Sequence, residues 1–256
     1  MTDRGAGARP SPGVAVVTGA GRGLGAAIAL HLAEGGWDLG LVARSQAQLD
    51  QVAARVGRTG ARVAVASADV RDREAIAGAF GAIADALGGI HALVNNAGVQ
   101  RVGPALEVTP DDWEMILGTN LTGAFNCMQV AAPQLISGGR GAIVNICSVA
   151  GQVAVADRAP YSASKAGLLM LTRACALEWA PLGIRVNAVS PTFVDTELAR
   201  QTLELPGARQ EILDRIPLGR LATTADVSAA VAFLLDDDRA GFVTGENLTV
   251  DGGFRA

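Results

Sequence analysis

The sequence predicts an α/β protein, a single parallel sheet with helices on both faces. Three observations carry that prediction. Short runs rich in β-branched residues alternate with stretches of helical periodicity. Half of the 256 residues are apolar, enough for one large core. Glycine, at 32 residues, suits many tight strand-to-helix turns.

Taken in order, residues 14–17, 39–42, 63–66, 92–94, 142–146, 186–189 and 248–250 read as seven buried strands. Leu24, Ile28 and Leu32 follow the first at helical spacing. Leu49, Val52, Ala53 and Val56 do the same after the second strand, and Ile76, Phe80, Ile83 and Leu87 after the third. Helical crossovers of this kind join parallel strands. Ser45 with Gln48 reads as a capping box, and Thr109-Pro110-Asp111-Asp112 offers a cap, a first-turn proline and acids for the helix dipole. A further helix runs from about Pro160 to Pro181. The longest irregular stretch, 191–217, follows the sixth strand at the carboxyl edge where open α/β sheets bind ligands, so it is read as a substrate lid. Residues 1–13 read as a flexible tail and 14–256 as one domain.

Bulk properties exclude several classes. A net charge of −4 gives no basic stripe for nucleic acid, and no apolar run reaches membrane-spanning length. Cys127, Cys147 and Cys175 are odd in number and widely spaced, which speaks for buried reduced thiols rather than disulfides or zinc. The tail lacks the apolar stretch of a secretory signal, so a cytoplasmic protein is expected. His31 and His91 read as helix-face and strand-entry residues, and no residues suggest a metal site.

Thr18-Gly19-Ala20-Gly21-Arg22-Gly23-Leu24-Gly25 joins the first strand to the first helix, the context of a Rossmann-type dinucleotide fingerprint. Glycines there let the backbone approach a pyrophosphate lying at the helix N-terminus, although the same residues also serve a bare tight turn. An acid at the end of the second strand would select NAD. Asp38 stands at the opposite end of that strand, and its carboxyl end carries Ala43 and Arg44. Arg44, helped by Arg22, would hold a 2′-phosphate, so NADP(H) is expected over NAD(H). Two solvated loop arginines is the alternative reading.

Ser148 lies just past the fifth strand, and Tyr161 and Lys165 follow at i and i+4 of one helix. A phenol with a pKa of about 10 carries protons poorly at neutral pH, and making it a thousandfold more acidic takes about 4 kcal/mol. A lysine one turn away is expected to contribute to that. Singly, a tyrosine at a helix start serves packing and a lysine a solvated face equally well.

Together with Asp69-Val70, Asn95-Asn96-Ala97-Gly98, Asn120, Pro191 with Thr196, and Val250-Asp251-Gly252-Gly253, these motifs resemble the short-chain dehydrogenase/reductase family over nearly the whole chain. The resemblance implies a doubly wound sheet in the order 3-2-1-4-5-6-7. It implies a catalytic set of Asn120, Ser148, Tyr161 and Lys165, with Tyr161 passing a proton, Ser148 holding the substrate oxygen, Lys165 binding the nicotinamide ribose and Asn120 anchoring a relay water. Bonded to backbone, Asn120 would instead bend its helix. The implied cofactor contacts are Gly19, Gly21, Arg22, Gly23, Leu24 and Gly25 at the turn, and Asp69 and Val70 at the adenine. They continue through Asn96, Ala97 and Gly98 beside the ribose to Pro191, Val194 and Thr196 at the carboxamide. Thr192 departs from the family's usual glycine and puts the local backbone path in doubt.

Residues 96–101 and 144–148 resemble gluconate 5-dehydrogenase-like members acting on sugar acids or polyols; the wider body is as similar to 3-oxoacyl-carrier-protein reductase-like members. Arg101 and Arg158 lie near active-site edges, where rim salt bridges are expected ahead of a substrate carboxylate. A cofactor-binding regulatory protein is the non-enzyme alternative, and no Gly-x-Ser-x-Gly elbow around Ser148 supports a hydrolase. Apolar residues on several faces of the helix after Tyr161, with the resemblance, imply a homotetramer built on the helices starting near Thr109 and Pro160 and on residues 250–256.

Overall fold

A computed structural model of the chain describes residues 12–256. Most of the tail read from the sequence, residues 1–11, lies outside them. Seven strands, β1 (Val14–Thr18), β2 (Asp38–Ala43), β3 (Val63–Ser67), β4 (Ala92–Asn95), β5 (Gly141–Ile146), β6 (Ile184–Pro191) and β7 (Asn247–Val250), form one sheet. All pair in parallel, in the order β3-β2-β1-β4-β5-β6-β7. Each strand lies within two residues of its sequence-read position.

Because the side chains of a strand alternate, a sheet covered on both sides needs two cores. Ala15 and Val17 join one cluster with residues of α1 (Gly23–Glu34), α2 (Gln46–Gly57) and α9 (Thr224–Leu235). Val14 and Val16 join the other, with residues of α3 (Arg73–Leu87), α5 (Gly123–Ser137) and α6 (Ala159–Trp179). The remaining α-helices are α4 (Pro110–Leu117), two short ones, α7 (Glu197–Leu203) and α8 (Ala208–Asp214), and α10 (Asp237–Ala240).

Local signals fared unevenly. Thr109 and Asp112 cap each other reciprocally, whereas Ser45 only accepts from the Gln48 amide, so its box is half made. Stretch 191–217, read as irregular, contains α7 and α8; runs this short lack the repeats that betray a helix. A reciprocal cap between Thr223 and Asp226 begins α9, which the periodicity left unread.

Asp38 opens β2 at the end remote from the glycine turn. Its carboxylate accepts from the Arg62 amide at 2.8 Å and from the Arg62 guanidinium at 3.0 and 2.7 Å, tying β2 to the entry of β3. Replacing Asp38 with Ala leaves that amide without its partner in a buried place. The expected result is a loss of about 1–3 kcal/mol in urea unfolding, with the ratio of NADPH to NADH affinity unchanged.

Candidate active site

The parallel order brings the carboxyl ends of all strands to one edge, and the chain reverses its winding between β1 and β4. One side chain joins the two segments leaving that point. The Thr18 hydroxyl donates to the Val94 carbonyl at 3.4 Å and accepts from the amides of Asn96 and Ala97, each at 3.1 Å. In return the Asn96 carboxamide donates to the carbonyls of Thr18 at 3.0 Å and Gly19 at 3.3 Å. The segments touch so closely that a Cβ on Gly19, whose φ is +65°, would stand 2.8 Å from the Ala97 Cα.

This turn fits a dinucleotide. Arg22 occupies the N-cap of α1 without a side-chain cap bond, leaving the amides of the first turn open to a pyrophosphate. Gly21 faces Ala43 and Gln48 across a gap so narrow that a Cβ on it would lie 3.5 and 3.0 Å from their Cβ atoms. Arg44 is exposed, and its side chain makes no hydrogen bond among the described residues. The Arg22 guanidinium is paired with Glu197 at the start of α7, both side chains being 62% exposed.

Other predicted contacts are positioned by what holds them. Asp69 is bridged to Arg71 at 2.7 Å, which keeps its carboxyl below the usual range, and Val70 is buried against Gly123. Asn96 spends its side-chain amide on the glycine turn. Pro191 ends β6, Val194 is buried and bridged to Ala222, and Thr196 precedes α7. Thr192 does not have the positive φ that would require glycine, and its buried hydroxyl has no partner among the described residues, as suits a site for a carboxamide.

The predicted catalytic residues converge from three segments. Asn120 sits in a π-helical turn, Gly118–Thr122, that separates α4 from α5. Its Oδ1 accepts from the Val99 amide at 2.8 Å, and its Nδ2 donates to the Val99 carbonyl at 2.9 Å and the Ser164 hydroxyl at 3.0 Å. The Ser164 hydroxyl in turn donates to the Tyr161 carbonyl at 2.7 Å. Gly98 lies against the Asn120 carboxamide and the Lys165 ammonium. Ser148 accepts from the Ala150 amide at 3.1 Å, and its hydroxyl reaches the Tyr161 phenol.

Electrostatics here depart from expectation. Burial raises the Tyr161 pKa above that of an ordinary phenol, opposed by the Ser148 hydroxyl and the Arg158 cation. Lys165 was expected to supply that opposing pull. Its Nζ instead donates to the Ile146 carbonyl at 2.7 Å and stays 5.7 Å from the Tyr161 ring centroid. Burial lowers the Lys165 pKa, and the neighbouring Cys147 thiol is pushed up to about 12.

Arg101 does form a rim salt bridge, to Asp112. Arg158 is the correction: it is buried, and no carboxylate pairs with it among the described residues. The sequence reading also missed a buried polar chain. Asn95 donates to Asn145 at 2.9 Å, Asn145 to Thr172 at 2.9 Å, and Thr172 to the Leu168 carbonyl at 2.8 Å, fixing α6 to the sheet. Asparagine inside the apolar run 142–146 was its only signal.

A family model described as enoyl-(acyl carrier protein) reductase matches residues 19–255. The chain is 40% identical to L-xylulose reductase of Mesocricetus auratus over 94% of its own length and 95% of that protein's. It is 36% identical to a 3-oxoacyl-acyl-carrier-protein reductase of Staphylococcus aureus, covering 93% and 96% of the two chains. Gluconate 5-dehydrogenase of Burkholderia cenocepacia, solved in complex with NADP and tartrate, superposes with a TM-score of 0.92 at 35% identity, over 96% of each chain.

Asn120→Ala removes both bonds to the Val99 backbone from a fully buried place. Urea unfolding should show a loss of about 1–3 kcal/mol, and hydrogen exchange should show the Val99 amide losing protection. A variant as stable as the parent with Val99 still protected would remove the clamp from the account.

Proposed function

The chain belongs to the short-chain dehydrogenase/reductase family and is an oxidoreductase of CH–OH groups, and we propose that it interconverts ketone and secondary alcohol on a polyhydroxylated, sugar-acid or polyol-like substrate, using NADP(H) in preference to NAD(H). The convergence of Tyr161, Ser148, Lys165 and Asn120 at the carboxyl edge, beside an uncapped glycine turn, carries this reading. Gln100, Arg158 and Thr202 give the space near Tyr161 a polar wall, which favours a hydroxylated substrate over an acyl chain. The likeness to a 3-oxoacyl-acyl-carrier-protein reductase keeps thioester reduction as the second reading.

A bound nicotinamide supplies or accepts the hydride. Ser148 holds the substrate oxygen by a hydrogen bond, so that Tyr161 can deliver a proton to that oxygen during reduction. Burial raises the phenol's pKa, so at neutral pH Tyr161 carries the proton that reduction consumes. Lys165, anchored on Ile146, would hold the nicotinamide ribose with its remaining N–H groups, and Asn120 holds the Val99 segment in place.

We assign NADP(H) from Ala43 and Arg44, which leave the end of β2 without an acid and with an uncommitted cation. We also propose a homotetramer. Trp113 and Met115 on α4, and Met170 and Leu177 on α6, are exposed large apolar residues on helices that pack against each other. A cytoplasmic setting suits the three buried, unpaired thiols.

Tyr161→Phe should lower carbonyl reduction by about 10²–10⁴-fold, read as loss of NADPH absorbance. Reduction needs the phenol and oxidation the phenolate. Alcohol oxidation should therefore climb with pH towards the raised pKa, while reduction declines only as pH passes it. Full activity in the Phe variant would sink the mechanism. Ala43→Asp should lower the NADP/NAD ratio of kcat/KM by about tenfold or more, through repulsion of the 2′-phosphate. An unchanged ratio would remove the cofactor assignment.

A further inference from the structure

Arg158 precedes the first turn of α6, three residues before Tyr161, and is only 5% exposed. Its guanidinium donates to Gln100 Oε1 at 3.3 Å and to the Thr202 hydroxyl, and lies 6.0 Å from the centre of the Phe193 ring. Every one of these partners is neutral. Asp157, the neighbouring acid, is exposed and acts on it only through space, without an ion pair.

Another sheltered arginine is treated differently. The Arg185 side chain, 12% exposed, meets Asp237 at 2.6 Å. A cation taken out of water without an anion is costly, so burial of this kind is retained where a counter-charge arrives from outside. Gln100, Thr202 and Phe193 come from the segment after β4, from α7 and from the segment after β6, three parts that meet around the Arg158 guanidinium. The Arg158 cation is close enough to Tyr161 to act on its phenol through space. One substrate molecule can therefore meet both.

We propose that Arg158 binds a carboxylate of the substrate, a few bonds from the reacting carbonyl, and that the enzyme is selective for keto acids over neutral ketones. The guanidinium fork matches a carboxylate bidentately, and neutral Gln100 and Thr202 orient it without competing for its charge. Once bound, the carboxylate supplies the counter-charge that the protein lacks. The same cation pulls the Tyr161 pKa downward, so an anion on Arg158 also keeps the phenol protonated for reduction. This inference rests on the carbonyl–alcohol reading above.

The test compares each keto acid with its methyl ester, using pyruvate, acetoacetate and levulinate, on the full chain with saturating NADPH. The parent enzyme should prefer the acid over the ester by about tenfold or more in kcat/KM for at least one pair. Arg158→Gln should erase that preference by losing rate on the acid, chiefly through KM, by about tenfold more than on the ester, while the affinity for NADPH stays within about twofold. Arg158→Lys should recover part of the acid rate. Equal use of acid and ester by the parent would overturn the proposal. So would an equal loss on both in Arg158→Gln, the pattern of an arginine that merely latches α7 through Thr202. Binding is read separately, as the rise in melting temperature produced by each acid with NADP⁺. A rise in the parent that Arg158→Gln lacks supports the carboxylate site even if no probe is turned over, in which case only the reaction reading fails. No rise with any acid, together with no turnover, overturns both.

Discussion

The Thr18 hydroxyl is bonded to three backbone groups at the point where the strand order reverses, and the rest of the site depends on that knot. Parallel strands leave their connections at one edge, but nothing in parallel pairing sets how closely two neighbouring connections approach. Thr18 and Asn96 set it, by exchanging bonds between the glycine turn and the segment after β4. Gly25 meets the Gly19 carbonyl so closely that even a methyl group there would clash. The open amides of α1 are aimed from this join, and the Val99 segment is carried away from it towards Asn120.

A second rigid body carries the proton chemistry. Helix α6 is buried along one side and pinned to the sheet through Thr172, Asn145 and Asn95, so Tyr161 and Lys165 inherit the sheet's positional precision. The π-helical turn at Asn120 follows from the same demand. Widening the helix by one residue lets its carboxamide reach Val99 and Ser164 together, joining the segment after β4 to the first turn of α6. Asn120 is thus committed to backbone and to Ser164, the bonding that the sequence reading weighed as a helix-bending role.

Periodicity made the fold legible because a sheet buried on both faces forces apolar runs at the strands and apolar stripes on the crossovers. Seven strands and their parallel sense follow from that alone. Features that depend on two distant charges or on short segments stayed hidden. Arg22 and Glu197 are far apart in sequence and meet only because the start of α7 comes beside the glycine turn. Helices α7 and α8 have seven residues each, too few for a pattern. Asp38 was readable as the wrong acid for a ribose, since strand direction fixes which end it occupies, but its partner Arg62 was not. Motifs found the residues of the site; only coordinates could show that Lys165 leans to Ile146 and that Arg158 is buried.

Those last two side chains give the site its electrostatic character. The chain as a whole is acidic, with a net charge of −4, yet two buried cations flank Tyr161 and neither has a carboxylate partner among the described residues. A cleft with low-dielectric walls and positive charge concentrates anions far more than net charge suggests. A phenolate at Tyr161 and the carboxylate proposed for Arg158 would both draw on the same cation. They would compete, because each anion screens that cation from the other. On that proposal, an anionic substrate that neutralises Arg158 raises the cost of the phenolate and keeps Tyr161 in the form that donates a proton. Substrate charge and the protonation state of Tyr161 are then coupled through the same buried groups.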